Sequence, residues 1–412
     1  ERAGVANTGI QEAAARLAQA RALVRNAEAD RLPQVVLGGG VVRQAGANTA
    51  TGPRPATLAT AGANMAYELD LFGRLAGLRD AAALDAASRA ALLQSTRLLV
   101  QAETTQTYLA LRAVDAERAL VRDTAAAYVG TLDLVERRLR AGDVAEMALV
   151  RLQAEAAATE SEALALDRRR AELEHALAVL AGEAASGFAV APVPGWTATL
   201  PVIPPGVPAT VLARRPDVAA AQRSLLAAQA RVGVAQTAWF PSVSLTGSAG
   251  FAAGDASDLL RWSARAWGLG ALLSLPVFDG GRRQAGVDGA MAQFDAATAG
   301  YRGQVLAALR EVEDQLSGLR ILAEQAEVQQ RAVAASSRAT ALSDSRWRNG
   351  YASQIDLLDT RRSEQRNRRQ ALQVASARYQ ATVGLVRALG GDWEAPAAAA
   401  SAALADTVAA RR

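Results

Sequence analysis

The chain has no cysteine, a single histidine and no lysine. Without cysteine there can be no disulfide, thiolate metal site or iron–sulfur cluster. A multi-histidine metal centre or a histidine-based triad would have to be built around His175 alone. Aromatic residues make up only 4% of the 412 positions. No run of about 18 or more apolar residues exists, so no segment reads as a transmembrane helix. The 45 basic residues, all arginine, stand against 41 acids for a net charge of +4, too even to suggest nucleic-acid binding. The start, Glu1-Arg2-Ala3, shows no signal-peptide pattern, which fits either a cytosolic protein or a removed leader.

Proline is scarce and clustered. Of the 13 prolines, none lies between residues 56 and 191 or between 277 and 395. Proline costs about 3 kcal/mol inside a helix, so these Ala-, Leu-, Arg- and Gln-rich stretches predict long helices. Residues 74–141 and 282–348 would each run ~100 Å at 1.5 Å per residue. The stripe Phe294, Tyr301, Val305, Ala308, Val312, Leu316 and Leu319 is spaced mostly by three and four, as in a coiled-coil seam. Gly142 and Gly350 interrupt these helices, and each is followed by a second helix, 146–181 and 353–389. Two α-hairpins are expected.

The chain also repeats itself. Pro33, Arg74, Glu103, Arg112, Arg140, Gly142 and Gly182 all have identical partners at a constant offset of 208 residues. The proline-rich stretch 192–216 joins the halves. Ahead of each long helix the pattern changes to period two. Ala59, Ala61, Ala63, Met65, Tyr67, Leu69 and Leu71 alternate with a small polar set running from Thr60 to Asp70. Residues 242–253 and 265–276 alternate in the same way, and 34–45 does so less regularly. Two hairpins packed on a helical core would explain such strands. A water-filled lumen on the Gly/Ser/Thr/Asn side, with lipid on the other, explains them as well. Four strands cannot close a membrane barrel, whose smallest examples have about eight, so that second reading requires several chains to share one barrel.

The order short helix, β-hairpin, long helix, tip and returning helix, present twice, resembles the outer-membrane efflux protein family, the TolC-like proteins. The pattern Arg214-Arg215-Pro216-Asp217 through Phe240-Pro241-Ser242-Val243-Ser244-Leu245-Thr246 is similar to the lipoprotein branch that serves resistance-nodulation-division (RND) efflux pumps. Ile203 to Pro208, Tyr67 to Gly73, Leu275 to Gly281 and Leu389 to Trp393 support it. The resemblance implies a mainly α fold with transmembrane β-strands, and a homotrimer. Its 12-stranded β-barrel in the outer membrane continues as a 12-helix α-barrel in the periplasm. It implies a first repeat at 10–191, with hairpin 34–73 and helices 74–182. A linker follows at 192–216. The second repeat is 217–393, with hairpin 242–281 and helices 282–390, and the tail is 394–412. The implied partners are a periplasmic adaptor, an inner-membrane RND-type pump and outer-membrane lipid. A lipid anchor preceding residue 1 is implied by analogy. No cofactor, metal or catalytic residue is expected.

The tips carry the candidate functional residues. The second reads Arg348-Asn349-Gly350-Tyr351-Ala352-Ser353-Gln354-Ile355-Asp356-Leu357-Leu358-Asp359. In the family the matching acidic pair lies at the periplasmic mouth, so Asp356 and Asp359 become six carboxylates around a threefold axis, able to repel anions and hold cations. The alternative is helix chemistry, with Ser353 as N-cap and Asp356 at the third helical position of a capping box. The first tip has Ala148 and Arg151 in the positions of the two acids. Arg140, Gly142, Arg348 and Gly350 are the expected adaptor contacts, although a turn needing positive φ explains the glycines on its own. Glu68 and Asp70, on the polar face of the second strand, are candidate pore-lining residues. The arginine runs 168–170 and 361–369 read as solvated faces paired with Glu172 and Glu364, and His175 as a surface residue. The expected function is a passive small-molecule export duct. A periplasmic coiled-coil adaptor or structural protein, and a type I protein-secretion duct, are the alternatives.

Overall fold

The computed structural model of the chain describes residues 2–45, 55–193 and 214–391. Residues Ile203 to Pro208, most of the 192–216 linker, Asp392, Trp393 and the tail 394–412 lie outside them. A short helix α1 (Arg2–Ala6) and α2 (Thr8–Ala29) precede strands β1 (Gln34–Gln44) and β2 (Ala56–Leu69). Helices α3 (Arg74–Arg140) and α4 (Glu146–Ala181) follow. The second half runs α5 (Pro216–Gln236), β3 (Ser242–Ala253), β4 (Arg265–Ser274), α6 (Arg282–Arg348) and α7 (Gln354–Ala388). The proline-free stretches thus become helices, and α3 and α6 have 67 residues each. Among the described residues no helix is long and apolar enough to cross a membrane.

The chain divides into two compact units. One comprises Ala14–Leu92 and Asp217–Gln304 and contains the sheet. Its four strands are all antiparallel, in the order β1-β2-β3-β4, so β1 and β4 are edges. Val35 lies opposite Met65, Met65 opposite Gly247, and Gly247 opposite Leu269. Opposed residues share a face, so this register gathers the odd-numbered apolar set of every strand on one side. Helices do not cover that side: Leu37 is 81% exposed, Leu269 80% and Leu273 67%. The hairpins are therefore not packed on a helical core. Below the sheet α3 meets α5 through small residues. Ala81 and Ala227 are buried, and the Ser88 hydroxyl donates to the Ala220 carbonyl at 3.0 Å. A Cβ on Gly77 would lie 2.7 Å from a Val234 methyl, so a larger residue would have to displace the Val234 side chain.

The other unit comprises Glu1–Ala13, Leu93–Pro216 and Val305–Arg412. Here the core is aliphatic, with Leu111, Val121, Val135, Leu152 and Leu357 fully buried. Bonds recur at the 208-residue offset. The Gly182 N–H donates to Val179 and the Glu183 N–H to Ala178, a Schellman ending that Gly390 and Gly391 repeat on Arg387 and Val386. The Asn7 amide donates to the Leu180 carbonyl at 3.0 Å, and the Arg215 guanidinium to the Ala388 carbonyl at 3.0 Å. The start of each half is clasped to the end of its last helix. The clasping side chain of the second half is itself charged, and Arg215 also pairs with Glu311 at 2.9 Å.

In the run 168–170 one arginine departs from the expected solvated face. Arg168 and Arg169 pair with Glu172 as their helical spacing suggests, but Arg170 turns inward. It meets Asp115 at 2.7 Å and Glu174 at 2.6 Å and donates to the Val190 carbonyl. Arg112 binds the same Asp115 at 3.0 Å and the Ala191 carbonyl at 2.8 Å. Two guanidiniums thus hold the segment after α4 against α3. Burial pushes the Glu174 pKa up, but the Val190 N–H and Arg170 outweigh it and hold Glu174 below its ordinary value. Burial acts the same way on Asp167, where Arg118 and Arg122 prevail and lower it.

Two outcomes follow for the purified protein in detergent. Depressed carboxylates add stability that is complete above their unfolded pKa and is lost as pH falls through the lower folded values. Thermal melts followed by circular dichroism should therefore weaken on acidification below the ordinary carboxylate range, and Arg170→Gln should flatten that dependence. Gly182→Ala combines φ +73° with a Cβ only 2.3 Å from the Ala6 carbonyl, whereas Gly142→Ala at φ +80° enters open space. The first should cost clearly more than the ~1–2 kcal/mol expected for the second in a denaturant titration.

Candidate functional site at the helical tips

Both tips close by the same backbone geometry. The Gly142 N–H donates to Leu139 and the Asp143 N–H to Arg138, while Gly350 and Tyr351 repeat the pair on Trp347 and Arg346. Gly142 and Gly350 hold φ of +80° and +77°, which glycine adopts without steric cost. Arg140 and Arg348 are exposed at the ends of their helices, and Arg348 pairs with Asp344 at 2.8 Å. The Arg138 guanidinium lies 5.8 Å over the Trp347 ring, so the two tips touch.

Beyond the turns the tips differ. The α4 N-cap is Ala145, which supplies no side-chain bond. The α7 N-cap is Ser353, whose hydroxyl accepts the Asp356 N–H at 3.2 Å while the Asp356 carboxylate accepts the Ser353 N–H at 3.2 Å. The capping box is complete. Asp356 and Asp359 are both exposed, whereas Leu357 and Leu358 are buried. At about 100° per residue the two acids centre opposite the two leucines. Leu358 packs with Tyr128, Val135 and Leu152, which ties α7 to α3 and α4 and turns the acidic edge away from that core.

Asp359 is not alone. Arg362, one turn on, reaches it at 3.3 Å and also pairs with Glu155 on α4. The Glu155 hydrogen bond is the main reason that the Arg362 pKa is raised. Arg369 links α7 to Glu117 on α3 at 2.8 Å and to Glu162 on α4 at 2.9 Å. Arg361 meets Asp344 on α6, so within the run 361–369 only Arg368 pairs with Glu364 as expected. Between Arg362 and Arg369 lies a polar cavity of about 380 Å³, lined by Thr124, Thr159 and Gln365 among others. The links of Arg362 and Arg369 were not visible in the sequence, because their partners on α3 and α4 stand more than two hundred residues away. Arginines at seven-residue spacing on one helix, 362 and 369, and acids at the same spacing on another, 155 and 162, were the available signal.

The strand acids are engaged locally. Glu68 takes the Arg74 guanidinium in a two-pronged bond at 3.0 and 2.7 Å. Asp70 lies beyond β2, which ends at Leu69, and is not on its polar face. Its carboxylate accepts the N–H groups of Leu75 and Ala76 at 3.0 and 2.7 Å, capping α3. A first-turn donor in need of an acceptor thus ends the strand early. His175 is exposed on α4. Among the described residues no group of three or more His, Asp or Glu side chains comes together to hold a metal.

Residues 2–183 and 207–391 match the family described as "Outer membrane efflux protein". The chain is 32% identical to the outer membrane protein OprJ of Pseudomonas aeruginosa over 405 residues, 94% of this chain and 82% of that protein. It is 28% identical to the cation efflux system protein CusC of Escherichia coli over 395 residues, 95% of this chain and 84% of CusC. The solved outer-membrane channel OprN superposes with a TM-score of 0.88 at 31% identity, covering 95% of this chain and 89% of OprN.

Capping and gating roles for the acidic pair separate by measurement. Ser353→Ala, which removes the cap acceptor, should cost about 1 kcal/mol in a chemical denaturation curve. Asp359→Asn, losing only a largely exposed ion pair, should stay within about 0.5 kcal/mol of the parent.

Proposed function

The chain belongs to the outer membrane efflux protein family, and from that premise we propose that three copies assemble into a passive export duct for small molecules. The observation that carries the proposal is the sheet: four strands, one apolar face with large exposed residues on β1 and β4, and two unpaired edges. Membrane strands must have every backbone N–H and C=O paired, so an open sheet cannot stand in lipid alone. Three copies, each joining its β4 to the β1 of the next, give twelve strands and no edge. The opposite face, with Thr60, Asn64, Ser244, Thr246 and Ser248, then lines water. The helices continue the duct into the periplasm. We read 10–191 and 217–393 as copies of one unit joined by 192–216, with 394–412 as a tail.

The remaining roles follow from this placement. Asp356 and Asp359, projecting away from the leucine core, form the periplasmic gate, with Arg362 as the cation that tethers Asp359 to its own protomer. Arg140, Gly142, Arg348 and Gly350 present the tips to a periplasmic adaptor, through which an inner-membrane RND-type pump supplies the energy. Glu68 lines the lumen at the helical end of β2 and keeps its Arg74 partner, and Asp70 adds negative charge beside it. We assign the chain no chemistry of its own.

Planar-bilayer recordings test this reading. The parent protein should form discrete channels of low conductance that prefer cations. Asp356→Ala/Asp359→Ala should raise the conductance several-fold and move the cation-to-anion permeability ratio toward one, as expected on removing an acidic ring. If no channel forms, the duct is wrong. If the double variant conducts like the parent, only the gate is.

A further inference from the structure

The four strands contain just three charged residues, Arg43, Glu68 and Arg265. Glu68 is on the polar face and bound to Arg74. The other two are on the apolar face. Arg43 pairs in register with Thr57, two residues from the Val41–Ala59 pair, and Arg265 lies opposite Phe251, which lies opposite Ala61. Arg43 is next to the last residue of β1 and Arg265 is the first residue of β4, so both stand at the end remote from the helices. The only charges on the face turned to lipid are therefore cationic and confined to one end.

Neither arginine has an acidic partner among the described residues, in contrast to the nearby Arg261, which is paired with Asp258 at 3.1 Å. Arg265 is held instead by an aromatic ring: its guanidinium lies 4.6 Å over Trp262. That contact fixes the guanidinium plane and leaves its donors unused. Trp267, two residues along on the same face, is 75% exposed and sits on the membrane side of the cation. An unpaired guanidinium above an exposed indole fits a molecule with a phosphate next to acyl chains: the guanidinium donors match phosphate oxygens in pairs, and the indole lies against hydrocarbon.

We infer that Arg43 and Arg265, with Trp262 and Trp267, form a binding surface for the phosphorylated headgroup of a lipid in the outer leaflet. The inference rests on the barrel reading proposed above. There β4 of one copy adjoins β1 of the next, so each Arg265 shares its subunit boundary with a neighbour's Arg43. The lipid bound at that boundary touches two copies and favours the assembled state. Direction follows as well: the cations mark the end of the barrel that meets the phosphate-rich surface, and Glu68 marks the other.

The test uses the trimer in phosphatidylcholine nanodiscs, titrated with diphosphorylated lipid A and, separately, with its dephosphorylated form. Bound lipid is counted by native mass spectrometry. The parent should retain the phosphorylated form roughly tenfold better than the dephosphorylated one. Arg43→Gln/Arg265→Gln should lose that preference, and Arg320→Gln, on an exposed stretch of α6, should keep it. Equal retention of both forms by the parent, or an undiminished preference in the double variant, overturns the inference. So does displacement of the lipid by inorganic phosphate at equal concentration, which would make the site one for the free anion. Channel formation in neutral phosphatidylcholine bilayers is measured in parallel. A parent that conducts but shows no lipid preference sinks this inference alone, and a parent that does not conduct sinks the duct beneath it.

Discussion

A strand in hydrocarbon has no water to satisfy its backbone, so every donor and acceptor must be paired by another strand. That requirement governs this protein. Its sheet has an apolar face that is most open on the outer strands β1 and β4, and these two strands also leave their outer edges open. In the proposed assembly the same two edges solve the problem for each other, and the threefold arrangement of helices and acidic gate comes with them. The small size of the residues on the polar face has a matching consequence, since a lumen lined by Gly, Ser and Thr leaves room for a solute.

Packing beyond the sheet is built on a backbone plan used twice. The Schellman endings at Gly182 and Gly390, and the tip turns at Gly142 and Gly350, recur bond for bond at a spacing of 208 residues. Side chains diverge on this common frame. Asn7 and Arg215 donate to equivalent carbonyls, but only the arginine recruits Glu311. Ala145 and Ser353 occupy equivalent N-caps, but only the serine builds a capping box. Both helices start with an acid, Glu146 and Asp356, but only Asp356 is locked into a capping box and followed one turn on by a second acid, Asp359. A duplicated scaffold can therefore carry a capped acidic pair on one hairpin while both keep the same turn.

Ionic links do much of the work that large apolar side chains do elsewhere. Alanine-rich helices come close together but bury little area each, and a polar cavity beside Gln365 opens between α3, α4 and α7. Arg362 and Arg369 bridge those helices, and Arg112 and Arg170 hold the segment after α4. The buried Arg112 stabilises little on balance relative to apolar packing, but removing its partner is costly. The bridging arginines specify which helix lies against which.

Much of this was legible in the residues themselves. Proline-free stretches placed the four long helices, alternation placed the four strands, and the 208-residue register showed the repeat. Each depends on spacing along the chain, which local backbone geometry imposes directly: 3.6 residues per turn, two per pleat, and glycine where φ is positive. The resemblance to the efflux family added the acidic pair as a gate, with capping as the alternative for Asp356, and the structure builds that cap. What the residues could not disclose was choice of partner. Arg168, Arg169 and Arg170 are identical side chains in sequence, and only the fold decides that the third is buried on Asp115 while its neighbours stay in water. Asp70 looked like a strand residue until the unsatisfied N–H groups of α3 claimed it. A pattern in the chain determines which face each element shows; the strength of a charge depends on burial and on groups brought from far along the chain, and only tertiary structure supplies those.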